Sequence, residues 1–243
     1  MKKIEKAPIP VYYRLQRTIQ EDIETGRWKP GECIPSEKAL AEQHHVSIGT
    51  VKKALLNLAH EGYLYRLQGK GTFVAGTTLQ RESLRYYRLL KQFGGTEASL
   101  TVRLLNINTI RCFKPVTRYL GMTGNQKLFE IKRLFLSDET PVVYHISYLP
   151  VKMFQALDEL PKSLFEKITM YKALEKHYGL PTIYNHELFT TIRADVEISK
   201  RLKIPKASPI LFIEMLSFTY KDRPYEYRKS YIATTERKIF REI

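Results

Sequence analysis

The chain has 243 residues, enough for two small domains, and its 43% apolar content excludes a disordered chain. A formal net charge of +15 favours polyanionic partners. Two distant cysteines, Cys33 and Cys112, exclude a disulfide framework, and no apolar run approaches the ~18 residues of a membrane span, so a soluble cytoplasmic protein is expected, without a signal peptide behind Met1–Glu5.

In chain order, Val11, Leu15, Ile19 and Ile23 recur every four residues, predicting a helix that Gly26 ends. Ser36 caps a short helix through Leu40 and Ala41, which His44-His45-Val46 breaks. Ser47 caps a third helix whose inward stripe is Val51, Leu55 and Leu58 with Ala54 beside them, stopped by Gly62. The period then changes to two: Tyr63, Tyr65 and Leu67 alternate, Gly69-Lys70-Gly71 turns, and Thr72-Phe73-Val74 returns as the second strand of a hairpin. Three helices and a hairpin in 1–75 predict a winged helix-turn-helix.

Residues 76–95 mix Leu79, Leu84, Leu89 and Leu90 with Arg81, Arg85, Arg88 and Lys91, close on Gly94-Gly95, and read as a connector. Beyond it, 96–243 predicts an α+β domain with an antiparallel sheet. Its elements are a strand over Leu100–Leu104, a hairpin of Leu128–Leu136 and Val142–Leu149, a helix over Met170–Tyr178, a helix over Asp195–Leu202, and a hairpin of Ile210–Tyr220 and Tyr225–Ala233.

Charge alone does not locate a nucleic-acid reader. Residues 1–76 hold 12 Lys and Arg against 8 Asp and Glu; the remainder holds 28 against 17. The local pattern is more informative. A helix entering the major groove needs an apolar face for its own domain and short polar or basic side chains on the other. Ser47, Thr50, Lys52 and Lys53 supply the second set, able to reach phosphates or base edges. Gly69 lets backbone approach a minor groove closely, with Lys70 at its mouth.

Enzymatic signatures are missing from the sequence. None of the six histidines has zinc-ligand spacing apart from the adjacent His44-His45, which reads as a turn. His186-Glu187 lacks a second histidine, there is no Gly-x-Ser-x-Gly elbow, and Gly69-Lys70-Gly71 is no phosphate-binding loop. No metal, cofactor or catalytic activity is expected.

Residues 10–74 resemble the winged helix of the GntR family of transcriptional regulators. The resemblance rests on Pro10-Val11-Tyr12-Tyr13, Gly26-x-x-x-Pro30-Gly31, Ile34-Pro35-Ser36-Glu37-Lys38-x-Leu40-Ala41, and Val46-Ser47-x-x-Thr50-Val51-Lys52-Lys53-Ala54-Leu55. It continues through Leu58-x-x-Glu61-Gly62-Tyr63-Leu64 to Gly69-x-Gly71-Thr72-Phe73-Val74. It implies DNA contacts by Lys38, Thr50, Lys52 and Gly69. Where the family commonly has arginine after the capping serine, this chain has Ile48 and then Gly49, so a different operator is expected; Ile48 either meets a thymine methyl or packs, and packing is the favoured reading.

Residues 96–243 resemble, more loosely, the UTRA ligand-sensing domain of the HutC branch, with a chorismate-lyase-like fold. The matches are Lys132-Arg133-Leu134, Thr140-Pro141-Val142 through Ser147-Tyr148-Leu149-Pro150, Thr169–Leu174 running to His177-Tyr178-Gly179-Leu180, and Arg223–Tyr227. The resemblance implies an effector site at Arg133, His145, Thr169, Tyr171 and Glu226. An arginine and a helix start suit an anion, and Glu226 suits hydroxyls or an amine. Phe135 and His145 stand where sugar-phosphate-responsive members often have Arg and Glu, and the tail Ile232-Ala233-Thr234-Thr235 departs too. A less cationic, more aromatic pocket is therefore expected, for an anionic or aromatic metabolite.

The resulting expectation is a homodimeric regulator, a repressor, on a near-palindromic double-stranded operator, joined through its C-terminal domain and tuned by the effector through the connector. The alternatives are a chorismate-lyase-like enzyme and a sequence-tolerant nucleic-acid-binding protein.

Overall fold

The computed structural model describes residues 10–76, 88–90, 92, 100–123, 125–166, 170–234 and 238–240. Contacts divide the chain into two compact units, Met1–Gly76 with Tyr220–Asp222, and Thr77–Thr219 with Arg223–Ile243.

In the first unit the four-residue spacing produces α1 (Val11–Glu24), which buries Leu15, Ile19 and Ile23. Val11 belongs to the predicted stripe yet is 45% exposed; Gln16 is buried instead. Its amide links two helices, donating to Glu61 Oε1 at 2.7 Å and accepting from Asn57 Nδ2 at 3.0 Å. Ser36 caps α2 (Glu37–Gln43) by accepting from Ala39 N, and Ser47 caps α3 (Ile48–His60) by accepting from Thr50 N at 3.1 Å. α3 buries Val51, Ala54, Leu55 and Leu58, the predicted stripe.

The hairpin is β1 (Leu64–Leu67) and β2 (Gly71–Val74), antiparallel, with Leu67 opposite Gly71. Tyr63 and Leu64 are buried at its base, whereas Tyr65 and Leu67 are exposed, so the alternating apolar residues do not mark a core face. The segment before α2 fastens to β2: Ile34 N donates to Thr72 O, and Gly31 N to Val74 O, each at 2.9 Å. Gly71 takes φ +125°, and a Cβ there would lie 3.0 Å from Cys33 Sγ, so the turn requires glycine.

The second unit contains a six-stranded antiparallel sheet. Its strands are β4 (Leu100–Arg111), β5 (Lys127–Ser137), β6 (Thr140–Pro150), β7 (Tyr184–Arg193), β8 (Pro209–Thr219) and β9 (Arg223–Ile232), ordered β4-β5-β6-β9-β8-β7. Short helices α4 (Val116–Tyr119), α5 (Tyr171–Tyr178) and α6 (Val196–Leu202) accompany it. Two short strands, β3 (Arg88–Leu90) within the expected connector and β10 (Lys238–Phe240), pair antiparallel; neither is expected from the sequence.

Three further features escape the sequence reading for physical reasons. β7 is an edge strand with almost no buried positions, so it carries no alternation; Leu188 and Phe189 are exposed. α4 has four residues, too few for a period. β4 continues past Leu104 because its register shifts between Leu104 and Asn106, which resets the alternation.

The two sheet faces are covered differently. One packs Leu134 and Tyr144 with Ile198 and Leu202 of α6, and Tyr148 and Tyr227 with Val116 and Leu120 near α4. The opposite face carries Phe129, Ile131 and Leu149, packed with Phe154, Leu157, Phe165 and Met170, Tyr171 and Leu174 of the α5 region. Further along this face, Phe135, Val143, Ile213 and Ile232 pack with Leu89. No described helix is long and apolar enough to cross a membrane.

Candidate functional site

In the first unit, Ser47 and Thr50 sit together at the start of α3. Ser47 Oγ holds the first turn of α3 and lies 2.8 Å from Thr50 Oγ1. Ser47 is exposed and Thr50 half-buried, both at the end of α3 that presents free amides. Ile48 beside them is 46% exposed. The expectation that it packs is therefore incorrect: Ile48 is the first residue of α3, ahead of the buried stripe that begins at Val51.

Lys38 is exposed on α2, and Gly69 and Lys70 are exposed at the hairpin tip. Lys52 and Lys53 are both exposed on α3 and engage different partners. Lys52 Nζ lies 3.9 Å from Glu37 Oε2, and Lys53 Nζ lies 4.0 Å over the Tyr12 ring of α1. Arg66 of β1 also reaches Glu37, at 2.9 Å. Neither Arg66 nor Glu37 is among the residues expected from the sequence.

In the second unit the ladder register assembles the buried polar groups. Arg133 of β5 is opposite His145 of β6, which is opposite Ser230 of β9. One step along, Ser147 of β6 is opposite Arg228 of β9. Glu226, two residues before Arg228, is opposite Ser217 of β8. All seven residues are buried within an otherwise apolar sheet face.

Glu226 does not present an open carboxylate. Arg228 Nε and Nη2 donate to Glu226 Oε1 at 2.9 and 2.8 Å, and Nη2 donates to Oε2 at 3.0 Å. Arg228 Nε also donates to Ser147 Oγ at 3.2 Å, and its guanidinium lies 5.0 Å over the Tyr171 ring. The patch therefore carries two buried guanidiniums, Arg133 on β5 and Arg228 on β9, beside the aromatic rings of Phe135 and Tyr171. The alternating positions of Glu226-x-Arg228 in a predicted strand were the available signal.

Burial and Arg228 push the Arg133 guanidinium down to about 10. Burial acts against charge on Arg228 too, but Glu226 outweighs it and holds that guanidinium ionised. Burial, with Arg228 and Arg133 nearby, holds His145 well below the usual histidine range, so its ring is neutral. Its Nδ1 is buried with no hydrogen-bond partner among the described residues, and its ring lies 4.5 Å from that of Phe135. Tyr171 is buried on α5 near Met215. Thr169 lies outside the described residues. No group of three or more metal-ligating side chains occurs among the described residues.

Comparison with known proteins bears on both units. Residues 11–74 match the family model of bacterial regulatory proteins, gntR family, and residues 97–236, more than half of the chain, match the UTRA domain. The uncharacterised HTH-type transcriptional regulator YurK of Bacillus subtilis (strain 168) is 29% identical over 231 residues, 95% of this chain and 94% of that one. The HTH-type transcriptional repressor NagR of the same organism is 29% identical over 229 residues, 93% of this chain and 91% of that one. The fold is shared with the ligand-binding domain of a GntR-family regulator from Bordetella bronchiseptica, at TM-score 0.59 and 24% identity over 65% of this chain and 98% of that one. It is shared also with PhnF from Mycobacterium smegmatis, at TM-score 0.55 and 18% identity over 94% and 98%. The chain belongs to the gntR family of bacterial regulatory proteins, in the branch with a UTRA domain, and is a DNA-binding transcriptional regulator whose operator binding responds to a small-molecule effector.

Proposed function

We propose that this regulator is a cytoplasmic, non-enzymatic repressor. A reading head over 1–75 contacts a near-palindromic duplex through Lys38, Ser47, Thr50, Lys52, Gly69 and Lys70, with Ile48 facing a base edge. Lys53 contributes only by leaving Tyr12. Repression is favoured because NagR is named a repressor and is similar along most of its length.

The effector is a small anion bound at the buried polar patch of Arg133, His145, Tyr171, Glu226 and Arg228. The observation that carries this reading is the patch itself. Burying ionisable groups on a packed apolar face is costly, and such groups cluster at functional sites. Glu226 acts there by holding Arg228 in place rather than by meeting the effector directly. Two copies pair through the domain over 96–243, with the edge strand β7 and its exposed Leu188 and Phe189 as the contact. The connector, 76–95, carries the change between sites.

A thermal-shift screen of small carboxylates and phosphate monoesters tests the effector site. A hit is expected to raise the unfolding midpoint, to alter DNA binding, and to lose its effect in Arg133→Ala. A hit that acts equally on Arg133→Ala removes Arg133 from the site.

A further inference from the structure

Glu37 opens α2, Lys52 stands in the second turn of α3, and Arg66 stands in β1. One carboxylate takes cations from both other elements: Arg66 Nη2 at 2.9 Å from Oε1 and Lys52 Nζ at 3.9 Å from Oε2. The Glu37 side chain is 28% exposed, against 63% for Lys52 and 49% for Arg66.

Exposed pairs of this kind contribute only about 0–1 kcal/mol to stability. Their electrostatic consequence is larger. Affinity for duplex DNA without base contacts comes almost wholly from cations that neutralise phosphates. Here two cations, one on the third helix and one on the hairpin, already face a fixed carboxylate. A phosphate approaching them must displace that carboxylate and is itself repelled by it. On a duplex offering good base-edge contacts, those contacts offset the cost; on other sequences nothing does.

We propose that Glu37 is a specificity-determining residue. It occupies the place of a phosphate oxygen between the third helix and the hairpin and suppresses binding to DNA that offers no base contacts. This rests on the reading that α3 and the hairpin form the DNA face, and the experiment separates the two.

The full chain is titrated by fluorescence anisotropy against a labelled duplex of random sequence at salt between about 50 and 200 mM, as wild type, Glu37→Gln, Glu37→Asp, Lys52→Ala and Arg66→Ala. Glu37→Gln is expected to bind several-fold more tightly at low salt, with a log–log salt slope steeper by about one. Glu37→Asp, which keeps the charge, is expected to stay near wild type. Lys52→Ala and Arg66→Ala are each expected to weaken binding and flatten the slope by about one. If Glu37→Gln binds no more tightly while the two cation variants weaken, the role of Glu37 is overturned and the DNA face stands. If neither cation variant weakens binding, the DNA face is overturned and the role of Glu37 with it. Glu37→Ala, which also removes the charge, serves as the neutral variant should Glu37→Gln not fold.

Discussion

Arg228 and Glu226, two residues apart on β9, form a buried ion pair closed by three hydrogen bonds of 2.8–3.0 Å. Neither side chain is more than 3% exposed. Removing one partner of such a pair leaves the other charge buried and alone, which costs about 3–5 kcal/mol, whereas replacing both with apolar residues of similar volume is often neutral. Arg228→Met alone is therefore expected to lower stability by about 3–5 kcal/mol in denaturant unfolding. The double change with Glu226→Leu recovers most of that loss. Both lose the response to effector.

The neutral ring of His145 gives stability a pH dependence of definite sign. Burial holds its folded-state pKa well below the ordinary value of 6.5, so the unfolded chain binds the proton first. The contribution is fully present above about pH 6.5 and is lost as pH falls below it, by up to about 1.4 kcal/mol per pH unit. Unfolding titrations from pH 8 to pH 5 (roughly the histidine range) are expected to show a shallower acid loss in His145→Gln than in wild type. Equal slopes would mean that the ring takes up its proton alike in the folded and unfolded protein.

Ile48 is a surface residue beside the cap of α3. Ile48→Ala is expected to change stability by no more than about 0.5 kcal/mol, by thermal or chemical unfolding. Ile48→Arg adds a cation there, and is expected to tighten binding to a random duplex and steepen its salt slope by about one, by anisotropy.

Gly71→Ala places a methyl group 3.0 Å from Cys33 Sγ on a backbone at φ +125°. A destabilisation of about 1–3 kcal/mol is expected by thermal unfolding, with weakened DNA binding because the hairpin must shift. Gly69→Ala, at φ +74° with open space around it, is expected to cost less.

The first unit was legible because each of its signals is local. Ser36 and Ser47 cap helices within three residues of themselves, and Val51, Leu55 and Leu58 show the helical period within one element. The central strands β5 and β6 were legible for a similar reason, as long apolar runs around a short turn. What escaped depends on distant partners. Tyr184–Arg193 becomes a strand because Pro209–Thr219 lies beside it, not because its own side chains alternate. Arg133 and His145 were named from resemblance, but their pairing across the ladder, and the arrival of Arg228 from a strand far along the sequence, come only from the register. The exposure of Ile48 was missed because the helical period places it three residues before the buried Val51, on the inward stripe, whereas it is the first residue of α3 and lies beyond the buried part of that stripe.

The most direct test of an operator-reading protein is selection of bound duplexes from a random-sequence library by the full chain at about 150 mM salt, where non-specific binding is weak. Enrichment of two inverted half-sites about one helical turn apart is the predicted result. Retention of duplexes with no enriched sequence would contradict it.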